Sequence, residues 1–173
     1  MGAMTDDAQT GLVPPGDFVE RVRQVGVEFE PGDVERLGRF LHLMLETNKV
    51  TNLTAITDPE QAWIKHILDA LTLVGPLMSL ATAEETIKAR AEAAGPENPP
   101  TSILSVIDVG SGGGVPAIPL AIVMPDVRFT MVEATGRKVE FLNRVIQELG
   151  LKNARVLQAR AEGIGQDQRR RTG

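Results

Sequence analysis

The chain has 173 residues and a mass of 18.6 kDa, enough for one domain with a real core and little more. Cysteine is absent, which excludes a disulfide scaffold, cysteine-type zinc sites, iron–sulfur clusters and a thiol nucleophile, and fits a reducing cytoplasm. The formal net charge of −5 argues against a domain that grips nucleic acid by bulk charge. The lack of any run of about 18 apolar residues predicts that nothing spans a membrane.

Residues 1–16 read as a disordered leader, in which Met4 after Gly2 and Ala3 marks an expression remnant ahead of a native start. Residues 17–79 read as a helical part. Val34, Leu37, Phe40, Leu41, Met44 and Leu45 recur at the spacing of one apolar helix face, and the polar cluster from Asn48 to Asn52 ends that helix. Asp58-Pro59 announces the next helix, since Asp caps free amides, Pro suits the first turn, and Gln61 completes a capping box. Its apolar face is Trp63, Ile64, Ile67, Leu68 and Leu71, so Trp63 belongs in the core. Residues 80–102 carry good helix formers with almost no apolar stripe and close on Gly95-Pro96-Glu97-Asn98-Pro99-Pro100, the composition of a solvated insertion or linker.

From Ile103 the pattern changes. Ile103 to Val109 is a short apolar run, as expected of a strand buried on both faces. A glycine-rich turn follows, then a short helix from about Pro116 to Met124, a strand over Val127–Val132, a helix marked by Val139, Leu142, Val145, Ile146 and Leu149 that stops at Gly150, and a strand over Ala154–Gln158. The order strand–helix–strand–helix–strand predicts parallel pairing with right-handed crossovers, hence a doubly wound α/β part over residues 103–173.

The stretch Asp108-Val109-Gly110-Ser111-Gly112-Gly113-Gly114-Val115-Pro116 carries the most information. A strand ends, glycines permit tight and left-handed backbone, and a helix begins at once, so a ligand can approach the main chain at the carboxyl edge of the sheet. A dinucleotide fingerprint requires glycine at Val115 or at Ala117, and a phosphate-binding P-loop requires a Gly-Lys-Ser/Thr ending; neither is present. The G-x-G-x-G spacing is instead the form common in S-adenosylmethionine sites. Glu133 at the next strand tip can accept hydrogen bonds from both hydroxyls of a ribose. The third strand runs into Gln158-Ala159-Arg160-Ala161-Glu162, where a backbone amide and a carboxylate can read an adenine edge. Three successive strand tips then line one cleft.

On these residues the chain resembles the glucose-inhibited division protein B family, the RsmG-type methyltransferases of guanine N7 in small-subunit ribosomal RNA. The matching pieces are Asn52-Leu53-Thr54-Ala55-Ile56, His66-Ile67-Leu68-Asp69-Ala70-Leu71, the glycine turn with its Asp108, Ile118-Pro119-Leu120, Arg137-Lys138 followed by Phe141-Leu142, and Arg160-Ala161-Glu162. The resemblance implies a Rossmann-like fold with a helical N-terminal extension, and S-adenosylmethionine as methyl donor. It implies that Asp108, Gly110, Ser111, Gly112, Gly114 and Val115 line the cofactor, that Glu133 holds the ribose, and that Ala161 and Glu162 sit near the adenine. It further implies a 16S rRNA or small-subunit partner, no metal and a cytoplasmic setting. The chain departs from the family in having Ala117 in place of a glycine, in the insertion, and in ending at Gly173 after the third strand, where the family continues through further strands and an arginine of its active site. Arg169-Arg170-Arg171 is not that arginine motif and reads as a basic tail.

Guanine N7 bears a lone pair and no proton, so its methylation needs no general base. No catalytic residue is expected, only positioning groups. His66 and Asp69, three apart on a helix, either face the substrate or tie the helical part to the sheet; Asn52 and Thr54 read as braces of the same junction. Arg128, Arg137, Lys138, Arg144, Lys152, Arg155 and Arg160 are available for a local basic patch, with Arg137 and Lys138 as substrate candidates. Two other readings keep the cofactor: a binding fragment without turnover, and a methyltransferase of another substrate class.

Overall fold

The computed structural model describes residues 11–81 and 104–160. Most of the insertion, together with Ala161, Glu162 and the basic tail, lies outside these residues.

The seven expected elements, four helices and three strands, occur where the sequence places them. Helix α2 (Asp33–Asn48) buries Leu37, Phe40, Leu41 and Met44 and ends at the polar cluster. A helix α1 (Phe18–Gln24) precedes it, which the sequence reading does not reach, although Phe18 and Val22 stand at helical spacing and both are fully buried. Phe18 meets Trp63 edge to face with centroids 4.8 Å apart. The leader is shorter than expected: the Leu12 amide donates to the Gly38 carbonyl at 3.0 Å and Leu12 packs against the core, so residues 11–16 join the fold.

Helix α3 (59–71) starts as its sequence requires, with Asp58 Oδ1 accepting from the Gln61 amide at 2.8 Å. Its middle, Trp63–Leu68, widens into a π-helical turn in which the Asp69 amide reaches back to the Ile64 carbonyl. The turn keeps Trp63, Ile67 and Leu71 all fully buried on one side. Trp63 is core as expected, and its Nε1 has no partner among the described residues. Helix α4 (Val74–Ala81) follows almost without a break. The continuous helical run Pro59–Ala81 passes, by length and composition alone, as long enough to cross a membrane, its most apolar 18-residue window having a mean hydropathy of 1.3, although Glu60, Lys65 and Asp69 interrupt the run.

Strands β1 (Ser105–Val109), β2 (Arg128–Glu133) and β3 (Ala154–Gln158) form a parallel sheet in the order β1-β2-β3. Helices α5 (Ala117–Val123) and α6 (Gly136–Leu149) make the crossovers. Because the strand order advances in one direction, right-handed crossovers put both helices on the same face. Phe129 and Met131 are buried there, with Val106 and Val156 half-buried against them, and α2 and α3 stack on the crossover helices as a further layer. The result is a Rossmann-like α/β layout with a helical N-terminal layer.

One expectation is overturned. Strand β1 is not buried on both faces: Ile107 and Val109 are 61% and 57% exposed. Among the described residues, no helix covers the face opposite α5 and α6. Gly150 ends α6 at φ +64, as expected of its helix-stopping role.

Candidate functional site

The glycine turn leaves β1 and hooks over the tip of β2. The amides of Gly110 and Ser111 both donate to the Val132 carbonyl, at 2.8 and 3.1 Å. Gly110, Gly112 and Gly114 have φ of +80, +54 and +87, the left-handed region that favours glycine. The Gly114 amide donates to the Ser111 carbonyl at 2.7 Å, and the Ile118 amide to the Gly114 carbonyl at 2.8 Å, so the turn runs straight into α5.

The three glycines differ in surroundings. A Cβ on Gly114 would stand 2.8 Å from both Ile118 Cγ1 and Leu142 Cδ2, so this position is closed by core packing. A Cβ on Gly112 would have only the Gly110 carbonyl oxygen nearby, at 3.8 Å, and one on Gly110 would meet nothing within 4 Å. The first half of the turn is therefore open on the side where a ligand could lie against the main chain, and the second half is fitted to the helices.

Glu133 is the hub of the turn. Its Oε2 accepts from the Gly112 amide at 3.0 Å and its Oε1 from the Thr135 amide at 2.8 Å. Burial acts to raise its pKa, but those amides and the charge of Lys138 outweigh it and hold the carboxyl below its ordinary value. The Thr135 side chain adds a further hydrogen bond to the carboxylate, and part of its acceptor capacity remains for a ligand. Glu133 thus clips the turn to the tip of β2 and to the start of α6. The sequence reading sees only its place at a strand tip, because the clip joins residues 21 apart.

Asp108, the last inward-facing residue of β1 before the turn, is the least settled group. Its Oδ2 is buried and has no hydrogen-bond partner among the described residues. Burial pushes its carboxyl above the ordinary range, against the opposing hydrogen bond from Ser111. In the geometry the Ser111 hydroxyl donates its one proton to the Asp108 carbonyl oxygen at 2.9 Å, and Ser111 is buried. A buried carboxylate oxygen with no donor to it among the described residues, next to a turn that exposes its main chain, matches a ligand that carries positive charge.

Val115 is half-buried and packs against the core. His66 does not reach the sheet: its Nε2 lies 2.9 Å from Thr54 Oγ1, so it ties α3 to the preceding loop. Asp69 is exposed and its charge acts on His66. Asn52 is exposed, and the bracing in this loop comes from Asn48, whose Oδ1 accepts from the amides of both Leu53 and Thr54. Sequence reasoning misses Asn48; a polar residue at the end of a helix, before a short loop, is the signal for it.

The expected basic patch is divided. Arg137 and Lys138 open α6 beside Glu133, and Arg137 lines a cleft of about 330 Å³ with Thr47, Thr51 and Arg144. Arg128 and Lys152 lie at the other end of the strands, where they share a cleft of about 430 Å³ with Arg36 and Asp126. Arg155 donates to Thr130 Oγ1 at 2.9 Å, and Arg144 is paired with Glu148. Among the described residues, Lys138 acts by its charge on Glu133, Arg137 precedes it at the start of α6, and Arg160 is exposed just beyond β3. Ala161 and Glu162 lie outside the described residues, and no metal-binding group of side chains occurs among the described ones.

His66 carries a pH signature. Burial lowers its pKa below the ordinary 6.5, against the raising effect of Asp69. The unfolded chain therefore takes up a proton that the folded chain refuses. Stability is full above pH 6.5 and is lost as the pH falls from there through the lowered value. Urea unfolding at pH 7.5 and at pH 5.5 is expected to show a smaller acid loss for His66→Gln than for the wild type. Equal losses would assign the acid sensitivity elsewhere.

Comparison with known proteins gives one consistent result. The family model for rRNA small subunit methyltransferase G, GidB, matches residues 33–172. A ribosomal RNA small subunit methyltransferase G from Sorangium cellulosum is 42% identical over 154 residues, which is 89% of this chain and 56% of that protein. Proteins of the same name from Trichormus variabilis and Leuconostoc citreum are 35% and 34% identical, over 94% and 87% of this chain and 59% and 55% of their own lengths. The chain spans about half the length of the curated relatives it matches.

Proposed function

Since this chain belongs to the GidB family of small-subunit rRNA methyltransferases, we propose that its glycine turn is the seat of S-adenosylmethionine and that the protein serves methylation of guanine N7 in 16S rRNA. The observation that carries the cofactor assignment is the orphaned Oδ2 of Asp108 beside the open half of the turn. S-adenosylmethionine carries an ammonium and a sulfonium, and a buried carboxylate with an unused acceptor suits a cation. The acceptor capacity left on Glu133 beside its two amides and the Thr135 side chain suits the ribose hydroxyls. Gly110 and Gly112 let the ligand touch the main chain, and Ser111 and Val115 flank it. Ala161 and Glu162 complete the adenine end in this reading.

When bound, the donor supplies an electrophilic methyl group. The chain's own residues fix its position and need move no proton, because N7 is already a free nucleophile. Arg137 and Lys138, beside the turn, offer positive charge to a phosphodiester backbone. The reading places the protein in the cytoplasm with its ribosomal substrate.

Calorimetric titration with S-adenosylhomocysteine tests the pocket, and transfer of labelled methyl groups to purified small subunits, naked 16S rRNA and total protein tests the substrate. Saturable binding with label in the rRNA is expected. Absence of binding would remove the cofactor from the turn; label in protein would change the substrate class.

Asp108→Asn separates ligand binding from stability. The folded chain raises the Asp108 pKa, so ionisation at neutral pH costs stability that is present at low pH and lost as the pH rises through the raised value. Asparagine removes that cost. The variant is expected to melt at a higher temperature than the wild type while binding S-adenosylhomocysteine at least ten-fold more weakly, a loss of about 1.4 kcal/mol or more. A variant that is both less stable and equally tight would show that Asp108 is a structural group.

A further inference from the structure

We infer that Thr54 is a positioning residue for the glycine turn, through which the helical N-terminal part sets the affinity of the cofactor site from behind. The inference rests on the cofactor reading above and concerns residues that do not touch the ligand.

Gly113 is the contact point. It is buried, and a Cβ there would stand 3.3 Å from the Leu53 carbonyl oxygen, 3.3 Å from Met44 Sδ and 3.5 Å from Leu53 Cβ. The backbone of Leu53 therefore rests directly on the back of the turn. Leu53 is itself held. Its amide and that of Thr54 donate to Asn48 Oδ1 at 2.8 and 3.0 Å, which anchors this short loop to the end of α2. Thr54 Oγ1 accepts from the Ile56 amide at 3.0 Å and shares a hydrogen bond of 2.9 Å with His66 Nε2 on α3. His66 lies in the π-helical turn, whose neighbours Trp63 and Ile67 are locked in the core.

The turn is thus clamped from three directions. Glu133 holds the Gly112 amide in front, Ile118 and Leu142 close on Gly114 at the side, and Leu53 presses on Gly113 behind. The front and side clamps come from the α/β part. The rear clamp is contributed by the helical part alone, and Thr54 is where its hydrogen bonds converge. Gly112 and Gly113 share a peptide, so a Leu53 that relaxes by a few tenths of an ångström tilts the amide plane that faces the ligand. Hydrogen-bonded positioning of this kind alters affinity through preorganisation, without any contact to the ligand.

The test is a set of four variants of the full chain, read by S-adenosylhomocysteine calorimetry and by hydrogen exchange at the amides of Gly112 and Gly114. Thr54→Val removes both hydrogen bonds with little change in shape, and Thr54→Ser restores them. His66→Gln alters the other end of the contact, and serves should Thr54→Val not fold. Val22→Ala weakens the core of α1 and is the control for lost stability. Thr54→Val is expected to bind about five- to ten-fold more weakly and to exchange faster at Gly112. Thr54→Ser should return to within about two-fold of the wild type. Val22→Ala should lose stability with unchanged affinity. Wild-type affinity in Thr54→Val, or an equal loss in Val22→Ala, would overturn the inference. A wild type that binds nothing would defeat the cofactor reading instead. Exchange at Gly112, faster in Thr54→Val but not in Val22→Ala, would then still support the clamp, and unchanged exchange would overturn it.

Discussion

Glu133→Ala is expected to destabilise the fold by about 3 kcal/mol and to abolish cofactor binding. The carboxylate is 7% exposed and accepts one backbone amide on each oxygen. Removing it leaves the amides of Gly112 and Thr135 unpaired in a site that water reaches poorly, and each lost bond to a charged acceptor is worth roughly 1.5–3 kcal/mol. Strands β1 and β2 and the start of α6 lose their common fastening, so the ligand loses both an acceptor and the shape of the turn. Glu133→Gln is expected to do little better, although it is nearly isosteric. One of its two terminal atoms must be an NH₂, and either orientation turns that donor toward a backbone N–H. Urea unfolding and calorimetry on the two variants check this. Full stability in Glu133→Gln would show that the two amides do not depend on the carboxylate.

Gly114→Ala is expected to cost about 3 kcal/mol as well, by a different route. At φ +87 an L-residue is strained by about 1–2 kcal/mol, and the new methyl would lie 2.8 Å from Ile118 Cγ1 and Leu142 Cδ2. Both neighbours are fully buried, so neither moves aside freely, and overpacking adds roughly 1–3 kcal/mol. Gly112 provides the contrast. Its φ of +54 disfavours a branched side chain, but the space around it is open. Gly112→Val should therefore lose less stability than Gly114→Ala while losing the ligand altogether, because its side chain fills the open half of the turn. Thermal melts with and without S-adenosylhomocysteine order the two variants. A ligand-dependent rise in melting temperature that survives in Gly112→Val would move the ligand elsewhere.

The legible features were those whose physics is local. Asp58 and Gln61 announce a helix start because the capping bond spans three residues, and the bond is present. Gly150 stops α6 because only its own backbone needs the left-handed region. Strand β3 occurs over Ala154–Gln158 as read, since a short apolar run between a glycine stop and a polar exit has few alternatives. The glycine turn was legible for the same reason: strand, flexible hinge and helix follow one another within nine residues, Asp108 to Pro116.

The limits were set by contacts that join distant parts of the chain. The apolar run of β1 predicts burial on both faces, yet burial of a strand depends on where the crossover helices lie, and both lie on one face. Leu12 falls in a stretch that reads as a leader because nothing nearby marks it; Gly38, 26 positions on, supplies its hydrogen bond. His66 and Asp69 looked like a pair by spacing, but Thr54 takes His66 and leaves Asp69 exposed.

The amino-acid sequence by itself determined the order of elements, the ends of the helices and the presence of a glycine turn between a strand and a helix, because hydrogen bonding and backbone freedom over a few residues settle each of these. Only the tertiary structure decided that Glu133 fastens the turn, that Asp108 keeps an unused buried oxygen, and that Leu53 presses on Gly113. Those depend on which surfaces meet once β1, β2 and the helical layer are packed together, and no local pattern encodes that meeting.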